Sequence, residues 1–432
     1  MKQLFPFILI LFFFISAKVS SEETVKIGYN LGVLPAVSFN SDEGLQYGGI
    51  LNLFNYGDGS RYPAYDQSTY LELSRYTKGS SICRFYYDSY KLLPNIRSFF
   101  DLTYLTEDLL DFYGYNGYQS KYSSDFETDN RYFYKMSQKQ FRLMIDLKGD
   151  LPLNHLFWIA SYNIVNYQDG SVDYDKINIG ANDNDQTEKG GSLYEKYVGW
   201  GLIGSNQAKG GTVSSIKTGL VYDTRNKLNN PDNGSYTEAL IEIAPGFMNK
   251  NSYAQYSIVH RQYQSILKNR LNAAVRLDIQ GKAGENSVPF FRRSQLISPF
   301  ANRTNVTGLG GTNSLRGILK NRVIGDAVAL GNFELRLKVV SFRWINQNFY
   351  IGLNGFFDTG IILDPIDISN ISDADKNLYF DLNKQDSFHS ASGGGLKIAM
   401  NENFIISAEF GKALDKRDGS NLGSYINLNY LF

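Results

Sequence analysis

The sequence predicts an all-β protein, a transmembrane antiparallel β-barrel of about sixteen strands. Three observations lead there. Apolar and polar residues alternate along most of the chain from Val25 to Phe432, the period of a strand with two unlike faces, and helical periodicity is almost absent. Most of the alternating runs have nine or more residues; strands of soluble proteins average about five or six, and a tilted membrane-spanning strand needs about 9 to 11. Long connections follow odd-numbered runs and mostly short ones follow even-numbered runs, the asymmetry of outer-membrane barrels with their long external loops and short periplasmic turns.

In chain order, Lys2, an apolar run from Leu4 to Ile15, and small residues through Ser16, Ala17, Val19, Ser20 and Ser21 read as a signal peptide over residues 1–21. That run is too short to cross about 30 Å of hydrocarbon as a helix. Residues 22–432 then form one outer-membrane barrel domain. Its strands are expected at 25–37, 45–54, 69–77, 81–90, 98–107, 131–147, 155–167, 212–225, 235–247, 252–265, 270–281, 326–340, 347–358, 390–400, 403–411 and 423–432. The long polar connections are 108–130, 168–211, 282–325 and 359–389, and 55–68 is the exception among the short ones.

Face patterns are clearest late in the chain. Ala327, Ala329, Phe333, Leu335, Leu337 and Val339 alternate with Asp326, Asn332, Glu334, Arg336 and Lys338. In the last strand Ser424, Ile426, Leu428, Tyr430 and Phe432 share one face, which suits lipid, and Tyr430 and Phe432 form a C-terminal signal for assembly machinery. Alternation alone does not say which face points outward, since a soluble β-protein shows the same pattern inverted.

Composition removes several classes. The 43 Lys and Arg balance 43 Asp and Glu, so no cationic excess seeks nucleic acid. One cysteine makes no intramolecular disulfide, and with 3 histidines there is no usual Cys/His zinc site. No cofactor and no metal are expected. His155, His260 and His389 are scattered and read as lumen or interface residues. There is no Gly-x-Ser-x-Gly elbow, phosphate loop or His-Glu-x-x-His, so no enzyme is expected. Gly308-Leu309-Gly310-Gly311 opens no helix, and Asp183 with Asp185 and Asp373 with Asp375 lack the spacing of a calcium loop and read as solvated loop.

Three local patterns stand apart. Asp223-Thr224-Arg225, followed by Pro231, Gly234 and Tyr236, puts a same-face acid and base at a strand end. Leu315-Arg316-Gly317-Ile318 lies in the long connection after the eleventh strand, and Phe357-Asp358-Thr359-Gly360 ends the thirteenth. Asp358 shares a face with Tyr350, Gly352 and Asn354 and points to the lumen, so a loop carrying Arg316 inward can pair with it.

At these residues the chain resembles the BamA/TamA superfamily of outer-membrane assembly and translocation barrels, the bacterial surface antigen family. That family carries an Arg-Gly dipeptide after strand eleven of sixteen, matched by Arg316 and Gly317, and an Asp motif on strand thirteen, matched by Asp358 and Gly360. Its Asp-x-Arg with a following Pro and Gly-x-Tyr is matched by Asp223, Arg225, Pro231, Gly234 and Tyr236, and Asn332-x-Glu334-x-Arg336 is similar too. Two departures stand out. Leu315 and Ile318 replace the usual β-branched and aromatic neighbours, and the first expected strand leaves no room in this sequence for the polypeptide-transport-associated (POTRA) domains that usually precede the barrel.

The resemblance implies insertion, translocation or export of protein or lipid, without enzymatic chemistry, in the outer membrane of a Gram-negative bacterium. Its surroundings would be outer-membrane lipids and lipopolysaccharide, with a protein or lipid client and no nucleic acid. Arg316, Gly317, Asp358 and Gly360 would form a lock between loop and lumen, with Glu334, Arg336, Asp223 and Arg225 as lumenal charges. A passive small-solute pore is the alternative from another class. A secreted glycan-binding protein using Tyr113, Tyr115 and Tyr118 is a third, although loop or interfacial positions also account for those tyrosines.

Overall fold

A computed structural model describes residues 25–432 apart from 42, 63, 180–185, 188, 228–229, 298–307, 345–346, 382–385, 401–403 and 429. The expected signal peptide, and Asp183 with Asp185, lie outside the described residues. Among those described, sixteen strands follow one another. They are β1 (Tyr29–Pro35 and Ser38–Asn40, interrupted at Ala36 and Val37), β2 (Gly44–Asn55), β3 (Gln67–Tyr76), β4 (Ser81–Leu93), β5 (Ile96–Asp111), β6 (Lys135–Asp150), β7 (Leu156–Gly170) and β8 (Gly211–Asp223). There follow β9 (Gly234–Ala244), β10 (Tyr253–Leu267), β11 (Leu271–Lys282), β12 (Ala327–Trp344), β13 (Gln347–Asp364), β14 (His389–Met400), β15 (Phe404–Ala413) and β16 (Gly423–Leu428). Each pairs antiparallel with its sequence neighbours, and β16 returns to β1, so the sheet closes on itself.

The orientation that alternation leaves open is settled by exposure. Phe333, Leu335 and Leu337 are 41%, 54% and 40% exposed, whereas Glu334 and Arg336 between them are 2% and 3% exposed. Leu220, Ile241, Ile258, Leu277, Leu353, Leu396 and Ile406 repeat the outward apolar face, and Lys217, Glu242, Asp278, Asn354, Lys397 and Glu409 the buried polar one. A barrel with a dry apolar exterior and a charged interior fits acyl chains outside and not water.

The long connections at one end are not simply polar. Phe112, Tyr115, Tyr134, Tyr194, Tyr197, Phe290 and Phe380 bury one another there as a lid. Phe112 stands edge-on to Tyr197 at 5.0 Å and to Phe290 at 5.8 Å between centroids, a geometry worth about 0.5–1.5 kcal/mol per pair beyond burial. Five short helices among the described residues carry this lid: α1 (Asp125–Asp129), α2 (Tyr174–Ile177), α3 (Leu193–Gly199), α4 (Phe290–Arg293) and α5 (Asp373–Tyr379). In α3 the Ser192 hydroxyl accepts from Glu195 N–H while the Glu195 carboxylate accepts from Ser192 N–H, which starts a helix of only 7 residues.

Two expectations are corrected here. Tyr113, Tyr115 and Tyr118 are buried, so they offer neither a glycan platform nor a membrane-interface girdle. Residues 131–134 do not begin β6, because Phe133 and Tyr134 are held by the aromatic contacts of the lid.

The C-terminal end is corrected as well. β16 stops at Leu428, and Tyr430 does not face lipid: its ring packs on the lumenal cluster of Tyr350, Ala399 and Ile405, with the Arg336 guanidinium 4.1 Å from its centroid. Phe432 lies 5.1 Å from the same guanidinium, which donates to the Phe432 main-chain oxygen at 2.9 Å. The cause lies on the other side of the closure. Among the described residues β16 and β1 are paired at Tyr425↔Asn40 and Ile426↔Phe39, with one further main-chain hydrogen bond from Ser41 N–H to Ser424 O. Ala36 N–H donates to Gly48 O on β2, so alternation turns the main chain of Pro35 toward β16. Continuing the register would set Pro35 against Tyr430, and proline has no N–H to give that ladder. Freed from the sheet, the last residues turn to the lumenal cations.

Candidate functional site

The connection between β11 and β12 enters the barrel, and its own sequence shapes the entry. Gly310 and Gly311 take φ of +117° and +78°, and Gly311 N–H donates to Ile318 O at 2.9 Å, closing a tight turn. The Ser314 hydroxyl bonds Gly310 N and the carbonyls of Gly308 and Gly310 inside it. Leu309, Leu315, Ile318 and Val323 pack as a small core against Leu330, Ile362, Ala391 and Ala413 of the wall. Gly360 makes room for this, since a Cβ there would lie 2.8 Å from Leu315 Cδ1.

This turn places Arg316 in the lumen at 0% exposure. Its main-chain N–H and its Nε donate to Asp358 Oδ2 at 3.0 and 2.9 Å, and Nη2 donates to Asp358 Oδ1 at 3.0 Å. Nη1 donates to Glu334 on β12 at 2.6 Å and to Glu409 on β15 at 2.8 Å. The guanidinium lies 3.7 Å from the centroid of Phe356, so its flat face is covered as its edges are bonded. Arg336 donates to Glu334 at 2.8 Å and Lys397 Nζ lies 2.8 Å from Glu409. Arg316, Arg336 and Lys397 thus meet Asp358, Glu334 and Glu409, three cations against three carboxylates. Charges buried so deeply are tolerable only when paired and hydrogen-bonded, and this group closes its own charge balance.

Of the residues singled out from sequence, Arg316, Gly317, Asp358, Gly360, Glu334 and Arg336 come together here. Asp223 and Arg225 do not. They form a separate bidentate pair at the short-turn end, 2.9 and 2.8 Å, with Arg225 over the Tyr236 ring. Tyr430 and Phe432 touch the network from below through Arg336.

Asn354, read as facing the lumen beside Asp358, donates to Glu409 at 2.8 Å. Sequence reasoning passed over Glu409, Lys397 and Gly411, each an ordinary inward residue of an alternating strand. It also passed over the other cations of the same loop. Arg292 of α4 donates to Glu242 on β9 at 2.8 Å, and the Tyr253 hydroxyl donates to that carboxylate at 2.7 Å. Lys320 meets Glu107 on β5, and Arg322, also at 0% exposure, donates to the carbonyls of Arg417 and Ser120 at 3.0 Å each. The loop is tied by cations to acids and carbonyls around the barrel. Between it and the β6–β9 wall lies a cavity of about 70 Å3 lined by Arg142, Asn163, Lys217, Glu242 and Arg292, room for a few waters.

His389, read as scattered, joins the lid to the wall: Nδ1 lies 2.6 Å from Asp418, Nε2 lies 3.0 Å from Asp386, and its ring stacks on Tyr118 at 4.0 Å. Burial pushes the Asp386 carboxyl up, but the hydrogen bond and charge of His389 together with the main-chain N–H groups of Tyr118 and Ile362 outweigh it and hold the group below the usual carboxylate range. Asp373 and Asp375 occupy the first turn of α5, where Ser372 caps the Asp375 N–H.

Residues 95–429 match the Omp85 superfamily domain. The chain belongs to the Omp85 superfamily. No curated protein matches it. Two solved structures share the barrel fold. BamA from Haemophilus ducreyi lacking POTRA domains 1-3 has a TM-score of 0.56 at 15% identity, covering 94% of this chain and 70% of that one. CdiB from Escherichia coli has a TM-score of 0.57 at 11% identity, covering 95% of this chain and 64% of that one. The chain thus spans less than two thirds of CdiB. The Omp85 assignment gives a translocation and insertion superfamily as the setting for the charged network, and the covered lumen and buried tyrosines count against the pore and glycan-binding alternatives.

Proposed function

We propose that this Omp85 barrel sits in the outer membrane of a Gram-negative bacterium and inserts, translocates or exports a protein or lipid client, without covalent chemistry. The observation that carries this reading is the closure, two residue pairs between β1 and β16 where β12 and β13 pair from Ala327 to Trp344. Among the described residues, β1 below Phe39 has no strand partner on that side, and an unpaired strand edge accepts another strand by main-chain hydrogen bonds. Outward Tyr29, Leu31, Val33 and Val37 place that edge among acyl chains. A client strand would add there, shielded from water, with lipid and lipopolysaccharide as surroundings. The Arg316 network, on β12 to β15 beside the closure, holds that wall and the loop in place while the edge works.

The test is a disulfide across the closure. Phe39→Cys with Ile426→Cys, in a Cys83→Ser background, joins directly opposed residues whose strand geometry suits the bond. The crosslinked barrel should fold, as a heat-shift gel reports, yet fail to restore outer-membrane composition in depleted cells until reduced. Full restoration by the oxidised form would contradict the reading.

A further inference from the structure

The inward loop reaches the closure as well as the β12–β15 wall beside it. On the β16 side, Gly317 N–H donates to the Tyr425 hydroxyl at 2.9 Å, and Asn427 donates to the Thr312 hydroxyl at 2.8 Å. Three residues after Gly317, Lys320 Nζ lies 3.3 Å from Glu43 Oε1 in the turn between β1 and β2, and it donates to Glu107 on β5 at 2.5 Å. Glu43 is in turn fixed to β1: its N–H donates to Asn40 Oδ1 at 2.6 Å, and Asn40 Nδ2 donates to its carboxylate at 3.1 Å. Asn40 is the residue paired with Tyr425. A circuit therefore runs from Gly317 through Tyr425, across the strand pair to Asn40, and back through Glu43 to Lys320.

We infer that Lys320 is a positioning residue that fastens the inward loop across the β1–β16 closure, so that the edge opens only when the Lys320–Glu43 contact is released. Side-chain exposures of 10% for Lys320 and 17% for Glu43 keep the pair largely out of water, where salt screens it little. Burial raises the Glu43 carboxyl, but attraction to Lys320 together with hydrogen bonds from Asn40 and Lys320 outweighs it and holds the group below the ordinary carboxylate range, so it is charged at neutral pH. Glu107 anchors Lys320 to β5 and also lies against the Glu43 carboxyl, but it sits on neither edge strand. The loop thereby couples the Arg316 network to the closure, since Arg316 and Lys320 lie four residues apart on the same segment.

This inference rests on the reading of the β1–β16 edge given above, but it is tested without a client. Nitroxide labels at Tyr47→Cys on β2 and Ile406→Cys on β15, in a Cys83→Ser background, report the distance across the closure in the purified full chain in nanodiscs. Both sites are exposed, and both labels leave the edge strands intact. Glu43→Gln should raise the fraction of long distances about tenfold, the factor a charge-assisted bond of this kind supplies. Glu107→Gln should leave it near the parent value, and Lys320→Arg should retain most of the closure. Equal broadening by Glu43→Gln and Glu107→Gln would mark Lys320 as a general brace and overturn the inference, as would no broadening by Glu43→Gln. Either result would leave the crosslinking outcome, and with it the functional reading, to stand or fall separately.

Discussion

Arg316→Met is expected to lower the barrel's unfolding free energy by about 3–5 kcal/mol, the cost of removing one partner from a buried ion pair. The reason is local. Methionine fills much of the space and can lie on Phe356, but Asp358, Glu334 and Glu409 would then face only Arg336 and Lys397. Arg316→Lys should lose less, because the charge stays while the fork on Asp358 and the stacking on Phe356 are lost. Asp358→Asn should cost less than Arg316→Met, since Glu334 and Glu409 still hold the guanidinium. The double variant should fall short of the sum by about 0.5–3 kcal/mol, the coupling expected of residues in one network. Urea titrations read by heat-modifiability give all four values, and additive losses would show that the two residues act apart.

Gly317→Ala should be nearly as damaging despite adding one methyl group. Gly317 has φ of +93°, and a Cβ there would lie 2.5 Å from Lys412 N and 2.6 Å from Gly411 C on β15. The backbone conformation costs an alanine about 1–3 kcal/mol, and the clash adds about 1–3 kcal/mol because a strand in the middle of a sheet has nowhere to retreat. The contact is reciprocal, since a Cβ on Gly411 would lie 2.9 Å from the main chain of Arg316. Gly411→Ala should therefore withdraw Arg316 from its acids in the same way. Gly355→Ala, two strands away with nothing within 4 Å of its Cβ, should be tolerated. Limited proteolysis within residues 308–324, alongside stability, distinguishes an undocked loop from a globally weakened barrel.

The strands were legible in the sequence because most of the alternating runs extend over nine or more residues, long enough for period-2 alternation to exceed chance. Which face meets lipid was not, because that period is symmetric; the exposed Phe333, Leu335 and Leu337 decide it. Arg316 and Asp358 stood out through an Arg-Gly pair between small residues and an acid closing a strand. Glu409, Lys397 and Gly411 carry no such mark. They matter because β14 and β15 follow β13 round the wall, so their inward side chains converge on the loop that Asp358 holds, a convergence set by the barrel's curvature. The lid was illegible for a similar reason: tyrosines and phenylalanines without periodicity look the same in a local core as at a membrane interface. The end of β16 was misread because the alternation continues to Phe432 on paper, while Pro35, near the other end of the chain, sets where the ladder stops.

The central claim is that the inward loop, held by its own cations, closes the lumen. Single-channel recording in planar bilayers tests it most directly, comparing the full chain with a variant in which residues 308–324 are replaced by a short Gly-Ser linker. The full chain should stay closed and the variant should show steady conductance, since only the lid and the α4 segment would remain across the lumen. A full chain that conducts as a stable open pore, or a folded variant that stays silent, would contradict the claim.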